Sequence, residues 1–89
     1  MTYTDLLHPI NEKVSVVAIY NKSANEVTPW RIKWQGRVYT IKEIGFHHTV
    51  RQGNRFYHVF SVTDGNSSFK LTCDTETLHW TLDEVTINN

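Results

Sequence analysis

Pro29-Trp30-Arg31-Ile32-Lys33-Trp34-Gln35-Gly36-Arg37-Val38-Tyr39-Thr40-Ile41-Lys42-Glu43-Ile44-Gly45 is the stretch that decides the fold. Trp30, Ile32 and Trp34 alternate with Arg31, Lys33 and Gln35, Gly36 follows, and a second run of strand-forming residues begins at Arg37. Successive side chains of a strand point to opposite faces, so a period of two broken by a glycine marks a β-hairpin. Strict alternation sets the rings of Trp30 and Trp34 on one face and the cations on the other.

The same pattern extends in both directions. Residues 13–20 are rich in β-branched side chains and read as a first strand. Residues 30–35 and 37–45 are the second and third, and 55–63, 68–73 and 78–82 the fourth to sixth. His47-His48-Thr49 either extends the third strand past a kink at Gly45 or begins a loop. Gln52-Gly53-Asn54, Asp64-Gly65-Asn66-Ser67 and Asp74–Thr77 are turns. No window has the 3.6-residue period of an amphipathic helix. The expected fold is all-β: an antiparallel meander of five to six short strands, forming a small barrel or a strongly curled sheet. Residues 1–11 lack periodicity, and His8-Pro9 disfavours helix there, so they read as a flexible arm before a single small β-domain at 12–89.

Eighty-nine residues give one domain with a modest core, to which three Trp, four Tyr and four Phe contribute. One cysteine, Cys73, cannot form an internal disulfide, which fits a reducing setting. The first nine residues have neither the basic start nor the apolar stretch of a signal peptide, and no apolar run is long enough to span a bilayer. A cytoplasmic location with no membrane contact is expected. Net charge is zero but segregated: residues 29–63 carry six Lys and Arg against Glu43 alone, while 64–89 carry Lys70 against five acids. Such asymmetry bears on partners rather than on fold.

The candidate nucleic-acid contacts are Arg31, Lys33, Arg37, Arg51 and Arg55, with Tyr57 as a stacking residue. Cations neutralise phosphates and exposed rings stack on bases. The competing reading is ordinary amphipathic alternation, with the Trp residues in the core. His47, His48, His58, His79 and Cys73 are metal-ligand types, but their spacing matches no zinc pattern, and no metal or cofactor is expected. Cys73 alternates with Leu71 and Phe69, which reads as a small buried hydrophobe rather than a nucleophile. No nucleophile elbow, phosphate-binding glycine loop or paired-carboxylate motif is present, so no enzymatic activity is expected.

Trp34-Gln35-Gly36-Arg37-Val38-Tyr39 with Ile41, followed by Phe60-Ser61-Val62-Thr63-Asp64-Gly65 and Leu78-His79-Trp80, resembles a family of small bacterial all-β domains of unknown function. Relatives of that family are associated with Y-family-type DNA polymerase proteins. The resemblance covers residues 30–85. It implies a loose link to DNA transactions and carries over no catalytic residue. The sequence thus points to a non-enzymatic binding or accessory domain that contacts nucleic acid through its basic hairpin face. A protein-interaction or homodimerisation module with no nucleic-acid role is the alternative.

Overall fold

A single strand, β1 (Asp5–Asn21), organises the chain by pairing with two different partners along its length. The computed structural model describes residues 5–24 and 26–88. After β1 come β2 (Glu26–Trp34), β3 (Arg37–Thr40), β4 (Glu43–Gln52), β5 (Arg55–Thr63), β6 (Ser67–Asp74) and β7 (Trp80–Asn88). They form one antiparallel sheet in the order β3-β2-β1-β7-β6-β5-β4. The sheet curls into a half-barrel, and the described residues include no helix.

The all-β class, the antiparallel order and the strong curl agree with the sequence reading. The strand count is seven rather than five to six. The run 37–45 divides because its middle residues bond to opposite sides of the sheet, next to each edge strand. The Ile41 N–H donates to the Trp30 carbonyl on β2 (2.9 Å), and the Lys42 N–H donates to the Thr63 carbonyl on β5 (2.8 Å). The chain crosses between the two edges there, and His47-His48-Thr49 continues inside β4.

The arm expected at 1–11 also differs. Residues 1–4 lie outside the described residues, but Asp5 to Pro9 is laddered to β7, with Asp5 opposite Asn88 and Pro9 opposite Glu84. Periodicity is missing there because the register shifts between Pro9 and Glu12, and Asn11 takes φ 55. Such a bulge offsets side-chain alternation by one residue. Pro9 is tolerated because β2 pairs only with the second half of β1, leaving this edge free.

Register builds the core in rows across the concave face. Cys73 lies between His58 and Trp80, Leu71 between Phe60 and Leu82, and Phe69 between Val62 and Val85. Ile32 from β2 and Ile41 join the same cluster, with Val14, Val16, Ala18, Trp34 and Tyr39 packed against it.

The β2–β3 turn is two residues long, with Trp34 opposite Arg37 and both Gln35 (φ 52) and Gly36 (φ 76) left-handed. Positive φ at both central positions defines a type I′ turn, whose twist matches the flanking strands. Gln35 is the strained member, since Asn enters this region more readily. Gln35→Asn should raise stability by about 0.5–1 kcal/mol, whereas Gly36→Val should lower it by about 1–2 kcal/mol. Denaturant midpoints of the two variants against the parent chain check both signs.

Candidate nucleic-acid interface

The second strand does not keep the alternation that its sequence suggests. Opposite β1, Val17 pairs with Arg31 and Ala18 with Pro29, so Trp30 is an extra residue on β2. This bulge changes which side chains face inward. Val27, Pro29 and Ile32 are buried and Trp34 is half-buried, while Trp30, Arg31 and Lys33 are exposed. Trp30 is 48% exposed, and the Arg31 guanidinium carbon lies 5.2 Å from its ring centroid. That is cation–π range. Val17 and Thr40 flank Arg31 across the ladders, and Val38 lies opposite Lys33. Ring and cations therefore share the outer face of β1–β2–β3, where strict alternation would have separated them.

The remaining candidates are dispersed. Arg37 lies beside the β2–β3 turn, with its guanidinium carbon 5.6 Å from the Tyr39 ring. It lines a hollow with Trp34, Asp64 and Phe69 at the end of the sheet where the β5–β6 turn also lies. Arg51 is at the other end, beside the β4–β5 turn. Its Nε donates to the Gly53 carbonyl (3.0 Å), and its guanidinium carbon is 5.6 Å from the Phe56 ring.

Arg55 is ion-paired with Asp74. The Glu76 amide and then the Arg55 guanidinium hold the Asp74 carboxyl below its ordinary value against the opposing effect of burial. The same pair raises the Arg55 pKa, with the hydrogen bond to Asp74 as the largest cause. Tyr57 is half-buried opposite Asp74 in register and borders a hollow that includes Asp83. The structure thus brings Arg31 and Lys33 together and sets Arg37 at the opposite end from Arg51 and Arg55. Trp30 is exposed on the face of the cations from which strict alternation separates it, because nothing in a single sequence marks a bulge there.

His47, His58 and Cys73 sit on the concave side, whereas His48 borders the outer hollow with Tyr57. His47 Nε2 and His58 Nδ1 are 2.9 Å apart, so one ring donates and the other accepts. His47 stacks on Phe60 with centroids 4.3 Å apart and planes 4° from parallel. Cys73 is buried opposite His58, and burial, with Asp74 adding, pushes its thiol up to about 11. At neutral pH it is a protonated thiol and a poor nucleophile. Among the described residues, no group of three or more His, Cys, Asp or Glu is placed to hold a metal ion. No helix among them is long and apolar enough to cross a membrane.

Burial and then the neighbouring His47 lower the His58 pKa from its ordinary 6.5. The unfolded chain therefore takes up a proton near pH 6.5 that the folded chain refuses until lower pH. The contribution of His58 to stability is complete above that value and declines as pH falls from it toward the lowered folded-state pKa. Melting temperature should fall between about pH 7.5 and pH 5.5, and His58→Gln should flatten the fall. An equal fall in the variant would assign the effect to other groups. No protein-family model matches the chain, and comparison with curated proteins and with solved structures likewise finds no match.

Proposed function

We propose that this chain is a non-enzymatic binding module that takes single-stranded nucleic acid on the outer face of β1–β2–β3. The observation that carries this reading is the bulge that turns Trp30 outward beside Arg31. An exposed indole flanked by a guanidinium is a stacking platform, and base–aromatic stacking contributes about 1–3 kcal/mol per base without demanding a sequence. Arg31 and Lys33 contact phosphates on either side of the stacked base. Trp30 takes the stacking role expected of Tyr57. Arg37, opposite Trp34 and over the Tyr39 ring, lies on the other face of the hairpin and takes no part, and neither do Arg51, Arg55 and Tyr57. The expected affinity is weak, on the order of 10⁻⁴ M at moderate salt, because few phosphates are met.

A second reading draws on one feature of the same face. Val17, Ile19, Trp30 and Val38 are all exposed there and together present an apolar surface suited to another protein or a second copy of the chain. That contact would respond little to salt.

Fluorescence anisotropy of a labelled oligothymidylate, titrated at several salt concentrations, separates the two. Two phosphate contacts give a log–log salt slope of about −1.4. Trp30→Ala should weaken binding by about 5- to 150-fold. Arg31→Ala combined with Lys33→Ala should bring the slope close to zero, with Arg51→Ala unchanged as control. Wild-type affinity in a folded Trp30→Ala variant rules the nucleic-acid reading out.

A further inference from the structure

The half-barrel does not close. β3 pairs only with Arg31 to Trp34, so among the described residues Glu26 to Pro29 of β2 have no strand on that side, and β4 is the opposite edge of the sheet. From the crossover at Ile41-Lys42 the two edges diverge toward the end that carries the β1–β2, β4–β5 and β6–β7 turns. Between them the concave face opens into a cavity of about 640 Å³. Pockets of about 300–1,000 Å³ are the size that encloses small molecules, and barrel mouths are a recurring place for them.

The lining has three layers of chemistry. Tyr20, Val27, Phe56 and Leu78 form apolar walls, and His58 and Cys73 face the same space. The rim carries one cation, Lys22, and one anion, Glu26. Tyr20 is 53% exposed, Phe56 47% and Leu78 53%. Single exposed hydrophobics are ordinary. Three large ones lining a single concavity form an apolar surface that is open to a ligand.

Leu78 adds an independent observation. Its φ is 61°, a left-handed conformation that glycine adopts freely and leucine resists. The turn fixes it there: the Leu78 N–H donates to the Asp74 carbonyl (2.8 Å) and the Asp74 N–H to the His79 carbonyl (3.0 Å). The chain thus keeps a leucine where glycine would be easier, with its side chain at the cavity. Strain of this kind gathers at ligand sites.

We propose that this mouth is a binding site for a small, uncharged, largely apolar molecule with a planar ring. Tyr20, Val27, Phe56 and Leu78 take the apolar body. His47 occupies His58 Nδ1, leaving Nε2 to meet one hydrogen-bonding group of the ligand. The Cys73 thiol is uncharged at neutral pH. The lining charges Lys22 and Glu26 cancel, and the Arg51 guanidinium over the Phe56 ring lies outside the lining and is tied to the Gly53 carbonyl, so a charged ligand would lose its hydration without a compensating partner inside. This site lies on the concave side and does not depend on the nucleic-acid reading of the outer face.

The test uses the full chain and the neutral dye N-phenyl-1-naphthylamine, whose emission rises in apolar surroundings. Expected are saturable one-to-one enhancement and amide shifts at Tyr20, Val27, Phe56, His58, Cys73 and Leu78. Leu78→Gly should keep or raise the melting temperature, because glycine suits φ 61°, while weakening dye binding about tenfold. Thr49→Trp, which fills the cavity from an exposed position on β4, should abolish binding. Trp30→Ala should leave it intact, which separates this site from the outer face. The proposal is overturned by any one of three results: no saturable enhancement, wild-type affinity in folded Leu78→Gly, or shifts confined to the opposite end around Trp34 and Tyr39.

Discussion

β1 is the constraint on which the rest of the sheet depends. Its first half is laddered to β7 and its second half to β2, so the three-strand wing β1–β2–β3 joins β4–β7 mainly through this one strand. The Lys42 bond to Thr63 is the second connection. A strand that changes partners must bend, and bulges supply the bend and the extra twist. One lies on β1 at Ile10-Asn11 and one on β2 at Trp30. With no helix among the described residues to cover it, a flat sheet would leave its apolar face in water. Curling the wing over the concave side lets the sheet cover itself.

The core follows from that curl. Leu71 and Leu82, paired across β6 and β7, are fully buried, and Ile32 reaches them from the wing. Each such side chain contributes about 1.5–3 kcal/mol relative to exposure. Phe60 bridges the apolar centre and the histidines, stacked on His47 and 5.6 Å from the Trp80 ring. Where the wing ends, the supply of apolar cover ends as well. The same curl that buries Leu71 therefore leaves the space between Val27 and Phe56 open.

The parts of the fold legible in the sequence are those where alternation runs unbroken. Phe69, Leu71 and Cys73 alternate with Lys70 and Thr72, and they are buried as the period of two requires. The turns at Gly36, Gly53 and Gly65 are legible because left-handed backbone selects glycine, and all three have positive φ. What was not legible traces to bulges, since one inserted residue reverses every face assignment beyond it. Trp30 is the case that matters for the candidate site. Pairing with Val17 and Ala18 decides its face, and pairing is a long-range property absent from residues 29–35 taken alone. The dispersal of Arg37 from Arg51 and Arg55 was hidden for the same reason. Charge clustering along the chain does not say which turns share an end of the sheet.

The exposure of Trp30 is itself an argument about what the wing does. A Trp side chain left half outside forgoes roughly 2–3 kcal/mol of burial. Arg31 over its face returns about 0.5–1 kcal/mol at an exposed site. The rest is not recovered within the described fold, although Ile32 and Trp34 on the same strand show that inward positions exist. On β6 and β7 the outward positions are polar: Lys70 and Glu84 are paired in register, and the Thr72 hydroxyl donates to Asp83. An ordinary solvated face would look like β6 and β7 throughout. The wing instead gathers Val17, Ile19, Trp30 and Val38 around two cations. On the proposed reading a stacked base covers Trp30, and its ~1–3 kcal/mol is of the size the fold leaves unrecovered.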